Sequence, residues 1–516
     1  MKKRQSLILV LLFIVLTTGA LTYIFVFKSK ETILMSQDTV KPEYTIDSLV
    51  TEELNVLDEI LKINNDSTLK LFESFANGIV TKDQLTNYLT KTDWGYIINL
   101  NSSTPISSPS IVGDTIYASG GFGSHSYYSF NLKTGMLVWA IELNDDGPSP
   151  AVFDDSTMIF NTESCTIFAI ERFSGKMLWS HWLGDPLLSF PIISDKKVYT
   201  SYPSRHIYKN YDYYTKSYNN IKPSHPLVCL DSKTGTVLWQ KWLDGDILVT
   251  PVADNKFIYA TTFPGTVYKI DKNNGKIIAS ISIKATSPPT IFDKVIYITK
   301  RADDSTKVKE SIAILDLKSL GFIKEFNKVD APYLDYEVQK KTALKKESDE
   351  LDMGNGFMDG APKTSGWQLA SKNIGQSSVS SLQLFQPSTV QCYRNHTINL
   401  MGNKIYCVDP RSETIIWSFL IDGDLKSIGG TIATTPIICN NFVVTVSVDG
   451  RVIVLNLDNG AIAFEKKLNK KVRTTPIVKD GYIIVPTTSG EINVIKTGIK
   501  ELDNWTMFMK NSQHKI

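Results

Sequence analysis

Phe168-Ala-Ile-Glu-Arg-Phe-Ser-Gly-Lys-Met-Leu-Trp179 is the stretch on which the fold turns. It has two close copies, Tyr128-Ser-Phe-Asn-Leu-Lys-Thr-Gly-Met-Leu-Val-Trp139 and Val228-Cys-Leu-Asp-Ser-Lys-Thr-Gly-Thr-Val-Leu-Trp239. Each begins as an apolar strand and then reaches a short acidic or amide side chain, such as Asp231, which closes a turn onto nearby backbone N–H groups. Gly135, Gly175 and Gly235 take the positive φ that the turn demands. The chain then reverses into a second strand carrying Trp139, Trp179 or Trp239, each able to fill the gap between neighbouring sheets. Weaker copies run over 271–275, 316–321, 409–417 (with Trp417) and 456–464.

Outward from the motif, a proline precedes an alternating apolar strand at Pro109, Pro150, Pro191, Pro251, Pro288, Pro387, Pro436 and Pro476. The clean steps are 41, 41 and 40 residues (Pro109 to Pro150, Pro150 to Pro191, Pro436 to Pro476). A period near 40 with several short strands per period specifies propeller blades, and eight openings predict eight of them. Seven units place Trp139, Trp179, Trp239, Ala279, Phe322, Trp417 or Phe464 near the tryptophan position. The unit opened by Pro476 lacks one, and Trp94-Gly-Tyr-Ile-Ile-Asn-Leu100 reads as its missing half. This segment is expected to join the strands of 476–496 and close the ring, removing a sheet edge that would otherwise invite association. The fold class is therefore all-β, an eight-bladed β-propeller over 94–516.

Two units are long. Residues 202–226 are inserted in one and carry Tyr208, Tyr211, Tyr213, Tyr214 and Tyr218. Residues 327–385 are inserted in another, with a mixed-charge stretch at 336–352 that reads as helix, a glycine-rich loop at Gly354, Gly356 and Gly360, and Trp367 beyond it. Long loops on a repeat scaffold carry function often enough that Tyr208, Tyr211, Tyr213, Tyr214 and Trp367 are the candidate partner contacts.

Ahead of the repeats, Met1-Lys2-Lys3-Arg4 is followed by the uncharged run Ser6 to Phe27. At about 1.5 Å per residue such a helix spans a hydrocarbon core of roughly 30 Å. Residues 1–27 thus read as an uncleaved transmembrane anchor. The basic start stays cytoplasmic, and the rest of the chain lies on the extracytoplasmic side of the inner membrane in a single pass. A signal peptide cleaved near Thr18-Gly19-Ala20 is the competing reading, disfavoured because the apolar run continues through Phe27. Residues 28–93 read as a linker and a short helical stalk: Ile46, Leu49, Val50, Leu54, Leu57, Ile60 and Leu61 share a helical face, a second short helix covers 66–78, and a third is expected over Thr81 to Leu89.

Composition narrows the function. Hydrophobic residues make up 42% and charged residues 21%, as in a folded globular chain, and a net charge of +2 without a basic stripe excludes nucleic acid as a partner class. The five cysteines, Cys165, Cys229, Cys392, Cys407 and Cys439, are scattered, which argues against a zinc site or a disulfide framework and leaves a Cys392–Cys407 bond open. The six histidines show no metal-ligand spacing, and no GxSxG elbow or P-loop is present.

The segment Ala169-Ile-Glu-Arg-Phe-Ser-Gly-Lys-Met-Leu-Trp179 resembles the tryptophan-docking repeat of propellers similar to those that bind pyrroloquinoline quinone (PQQ), whose pattern is Ala-x-Asp-x-x-Thr-Gly-x-x-x-Trp. Glu171 replaces the Asp and Ser174 the Thr; the third copy has Cys229 for the Ala but keeps Asp231, Thr234, Gly235 and Trp239. Trp505-Thr-Met-Phe508, leading to His514, also looks like a C-terminal stretch of such proteins, with Thr506 at its proline. The resemblance covers roughly 94–514 and has two branches. One is the quinoprotein dehydrogenases, which bind PQQ and calcium and often carry adjacent cysteines; this chain has no Cys-Cys pair. The other is the outer-membrane-protein assembly lipoproteins, scaffolds without a cofactor; this chain lacks their lipidated cysteine. The resemblance implies a non-catalytic, membrane-anchored scaffold without cofactor or metal, binding a protein or peptide partner in the cell envelope. A small-ligand or carbohydrate-binding ectodomain and a PQQ-dependent dehydrogenase are the two alternatives.

Overall fold

A computed structural model describes residues 79–80, 85–163, 166–184, 188–203, 225–304, 307–339, 372–376, 385, 387–423, 425 and 431–511. The anchor 1–27, nearly all of the stalk, Tyr208, Tyr211, Tyr213, Tyr214, Tyr218 and Trp367 lie outside them. Among the described residues no helix is long and apolar enough to cross a membrane.

Eight antiparallel sheets follow one another along the chain. They span 110–142, 152–182, 192–243, 252–282, 290–330, 391–420, 437–467 and 477–496, and are blades 1 to 8 here. Each of the eight prolines stands one to four residues before an innermost strand, such as Ser110–Val112 after Pro109 and Ile477–Lys479 after Pro476. Proline suits that place because a strand's first residue need not donate to a ladder. The middle strands are buried on both faces, as in Thr157–Asn161 and Thr166–Glu171 of blade 2, so they read as continuous apolar runs.

The ring closes with its two ends in one sheet. Gly95–Asn99 pairs antiparallel with Glu491–Lys496, Tyr96 opposite Val494 and Asn99 opposite Glu491. Leu89–Thr92 then pairs with Gly95–Asn99, making blade 8 five-stranded. The helix expected over Thr81 to Leu89 does not form in its described part: residues 85–88 are turn and coil, and Leu89 opens the outer strand Leu89–Thr92, which pairs along the free edge of Gly95–Asn99. Strand Ile79–Val80 adds in turn to the outer strand of blade 1.

The tryptophans dock as their position suggests. Trp139 Nε1 donates to the Arg172 carbonyl at 2.9 Å, Trp179 to Ser232 at 3.0 Å, Trp239 to Lys272 at 3.0 Å and Trp417 to Leu457 at 2.8 Å. Each accepting residue directly follows the turn-closing side chain of the next blade. There Asp231 Oδ1 accepts the Thr234 N–H at 2.8 Å, and Glu171 Oε2 accepts the Ser174 N–H at 2.7 Å. Gly235 and Gly460 lie flat under the indoles; a Cβ at either would come within 2.7 Å of Trp179 or Trp417.

Two assignments need correction. The closing tryptophan position is held by Tyr96, not Trp94: Tyr96 pairs with Val494, and its hydroxyl donates to the Leu132 carbonyl in the turn of blade 1. Its ring lies against Gly135. Trp94 packs beside the same core, with Lys466 Nζ 5.4 Å from its ring centroid. In blade 5 the position belongs to Lys324, opposite Ile314, while Phe322 pairs with Leu315 and is 40% exposed. The cause is the turn itself, where Leu320 at φ 59° stands in the left-handed place usually held by glycine and Gly321 follows it.

The insertions are also trimmed. His225–Asp231 is already a strand of blade 3, and Phe322–Asp330 is the outer strand of blade 5, so the first inserted segment ends before His225 and the second begins after Asp330. Of the stretch read as helix, residues 336–339 are helical and the remainder lies outside the described residues. Cys229, Cys392, Cys407 and Cys439 are buried free thiols, so no Cys392–Cys407 bond forms. Burial pushes Cys229 and Cys407 up to about 12.

Candidate functional site

In an antiparallel four-stranded blade, the loop between the second and third strands and the connector to the next blade emerge on the same edge of the sheet. Both insertions are loops of this kind, 202–224 within blade 3 and 331–390 between blades 5 and 6. They therefore leave from one face of the ring, here called the mouth.

The mouth is filled by the protein's own side chains. Leu188, Leu248, Val249 and Phe263 from the loops, Ala331, Tyr333, Leu334, Ile374 and Phe385 from the second insertion, and Phe508 and Met509 from the C-terminal segment form one buried apolar cluster. That segment reaches it by pairing Trp505 with Val478 and by accepting the Ile111 N–H on the Thr506 carbonyl at 2.5 Å. The insertion is clamped by polar contacts. Tyr333 donates to the Glu310 carboxylate, which also accepts from Thr286 at 2.6 Å. Arg301 donates to the Leu334 and Asn373 carbonyls at 2.8 and 3.2 Å. Asn373 Nδ2 donates to Ala285 at 2.7 Å.

Two cavities flank this cluster. The inner one, about 330 Å³ along the axis, is lined by Val249, Pro288, Pro387, Thr389, Gln391, Thr435, Ile437, Thr475, Trp505, Phe508 and Met509. Gln391 is fully buried there, with neither amide atom hydrogen-bonded to protein. The outer one, about 510 Å³, lies between blades 1 and 2. Phe122, Phe190 and Phe508 supply rings to its lining and Glu163 a carboxylate. Burial first, then the Asp146 charge, push the Glu163 carboxyl up to about 8, against the pull of the Gly123 N–H. Its Oε2 is shut off from water and has no hydrogen-bond partner. Further round the mouth, Asp246 is 1% exposed; Oδ1 accepts from the Ser201 hydroxyl and from the Ile247 N–H at 2.8 Å, and Oδ2 has no partner. Burial pushes its carboxyl up to about 7. Among the described residues no group of three or more His, Cys, Asp or Glu side chains is placed to hold a metal ion.

The repeat residues Trp139, Gly175, Trp179, Asp231, Gly235, Trp239 and Trp417 all stand in turns and seams between blades, away from the mouth, so their work is architectural. Glu163, Phe122, Phe190, Gln391 and Asp246 carry no local sequence signal, since different blades bring them together. Phe508 alone belonged to a stretch already singled out, the one beginning at Trp505.

Comparison with known proteins agrees with this architecture. The family model described as outer membrane protein assembly factor BamB matches residues 123–212, 224–317 and 402–503, more than half of the chain. Outer membrane protein assembly factor BamB of Moranella endobia (strain PCIT) is 22% identical over 203 residues, 37% of this chain and 48% of that protein. The chain thus matches about half the length of this relative. The crystal structure of BamB from Moraxella catarrhalis superposes with a TM-score of 0.50 at 14% identity, covering 80% of this chain and 98% of that one. Saccharomyces cerevisiae Sqt1 gives 0.54 at 8% identity, covering 78% and 98%. At such identities the superpositions speak for the propeller fold alone.

Proposed function

Since the chain belongs to the family of PQQ-like propellers described as outer membrane protein assembly factor BamB, we propose that it is a non-catalytic scaffold of the cell envelope. Residues 1–27 hold it in the inner membrane in a single pass, and the extracytoplasmic propeller binds a protein partner at its mouth. The observation that carries this reading is the apolar cluster of Tyr333, Ile374, Phe385, Phe508 and Met509. It caps the ring on the mouth side, and both insertions depart from that face. The scaffold works without a cofactor.

A second contact mode is favoured by blade 1, where Ile79–Val80 already extends the outer strand. Among the described residues no strand covers the outer strands of blades 2 to 7. Leu178, Leu238, Ile278, Ile323 and Ile416 are exposed along them, which suits strand addition by a partner segment.

The test is site-specific photo-crosslinking in intact cells. A photoreactive residue at Phe122 or Tyr202, on the mouth, should trap a defined protein from the membrane fraction, whereas one at Lys133 or Lys233, in the turns of the opposite face, should not. Equal capture from both faces, or none from the mouth, would sink the mouth assignment. Dye-linked oxidation of alcohols or sugars after addition of PQQ and calcium would sink the non-catalytic reading.

A further inference from the structure

We propose that the cavity between blades 1 and 2 is a receptor for a cationic side chain, lysine or arginine, that the protein partner inserts. All four hydroxyls in the lining are engaged with the protein: Ser107 Oγ lies 3.0 Å from Ser119 Oγ, Ser108 donates to the Thr475 carbonyl at 2.8 Å, Ser149 to Pro150 at 3.1 Å and Thr474 to Ile106 at 3.0 Å. Among the described residues the lining holds no lysine or arginine. An anion would therefore meet no cationic side chain there, and a purely apolar ligand would leave the Glu163 carboxyl without a partner.

A cation meets both features of the site. The Glu163 carboxyl lacks a charged partner among the described residues and Oε2 makes no hydrogen bond; the proton it holds at neutral pH passes to water when a cation takes its place. Phe122, Phe190 and Phe508 give π faces, with Phe190 and Phe508 set edge to face at 5.2 Å. Rings with a carboxylate at one side are the arrangement that binds ammonium and guanidinium groups. Asp145 and Asp146, in the adjoining connector, add negative potential. The chain also keeps room for the carboxylate: Gly147, at φ 65°, approaches so closely that a Cβ there would stand 2.2 Å from Glu163 Cδ. A lysine or arginine is long enough to reach such a group from a partner surface while its stem lies along the phenylalanines.

This inference rests on the protein-binding reading, and its test separates the two. The full-length protein is titrated with N-acetyl-lysine N-methylamide, the arginine compound, and the norleucine compound as an uncharged isostere, followed by saturation-transfer NMR. Lysine and arginine compounds should bind saturably, and the norleucine compound at least tenfold more weakly. Glu163→Gln should remove that tenfold preference, and Phe122→Leu should weaken the cations several-fold while leaving a preference over norleucine. Equal binding of all three compounds, binding by none, or an unchanged preference in Glu163→Gln overturns the proposal. A partner still crosslinked from the mouth of Glu163→Gln at wild-type yield would leave the scaffold standing and remove this pocket from it.

Discussion

The seams on either side of blade 3 and those on either side of blade 5 do the same job with different parts. Around blade 3, Trp179 and Trp239 lie on Gly235 and Gly275 and donate to the carbonyls of Ser232 and Lys272. Between blades 4 and 5 the tryptophan position is Ala279, and the donor comes from the strand opposite: Lys269 Nζ reaches the Leu317 carbonyl at 2.7 Å and Lys318 at 3.0 Å. Leu317 is the residue that matches Ser232 in its own turn. Between blades 5 and 6, Lys324 pairs with Glu413, which replaces the turn glycine at φ 59°. What the ring preserves is a donor for one turn carbonyl or a contact across the seam, while the side chain that provides it is free to change. The mouth differs from these seams, because Glu163 and Asp246 each keep a buried carboxyl oxygen there without a partner.

The sharpest way to break this view is at the closing seam. Tyr96→Ala removes both the ring against Gly135 and the donor to Leu132, and should cost about 3–5 kcal/mol by chemical denaturation, as large aromatic truncations do. Trp94→Ala should cost clearly less; the reverse order would restore Trp94 to the docking position. Next is the buried carboxylate of the mouth. The Asp246 carboxyl, about 7 in the fold, lies above its unfolded value of 3.8, so the native state holds a proton that the unfolded chain has released. Stability should therefore fall as pH rises from about 4 to 7, by on the order of 2 kcal/mol after allowing for relaxation. Asp246→Asn, which keeps the acceptor for Ser201 and Ile247, should flatten that slope and be the more stable protein at pH 8. A wild-type midpoint that does not vary between pH 4 and 7 would contradict it.

The seam charge should behave in the opposite sense. Lys269→Met leaves two carbonyls without a donor and should destabilise by about 1–2 kcal/mol. Adding Ala279→Trp should recover much of the loss, because an indole N–H then reaches the Leu317 carbonyl; no recovery would mean that the seams are not interchangeable. Smallest is Lys324→Met, where both partners are about one-third exposed, 39% and 31%. A half-solvated pair of this kind is worth below about 1 kcal/mol. Glu413→Gly should be near neutral, since the lost pair is offset by relief of the left-handed backbone.

The sequence exposes the propeller because its signals are local: proline at a strand start, a turn closed by Asp, Asn or Glu, glycine at positive φ, and an indole four residues on. It fails where a residue's place depends on pairing. Trp94 and Tyr96 are two apart and share a face, so alternation cannot choose between them; only the register against Val494 does. Phe322 took the place of Lys324 because the blade 5 turn has Leu320 at the glycine position. Lys269 is invisible for a different reason, since its partner residue Ala279 sits on another strand. The mouth is least legible. Phe122, Glu163, Phe190 and Phe508 belong to three blade loops and a terminal segment, and nothing in their own neighbourhoods marks them as one lining.

The way the ring is fastened also sets the order in which it is made. Gly95 meets Ile495, 400 residues later in the chain. Until then the Gly95–Asn99 strand has Leu89–Thr92 on one side and an open edge on the other while seven blades are synthesised, and blade 1 holds an open flank with no neighbour to dock on. The last contacts, Trp505 on Val478 and Thr506 on Ile111, fall between the two blades that meet at the join. They act as a latch that cannot be set before the circle is complete. Contacts this distant form slowly and leave incomplete chains with apolar edges showing. A chain stalled before residue 490 is therefore an open arc rather than a slightly smaller propeller, a species for chaperones and proteases to find.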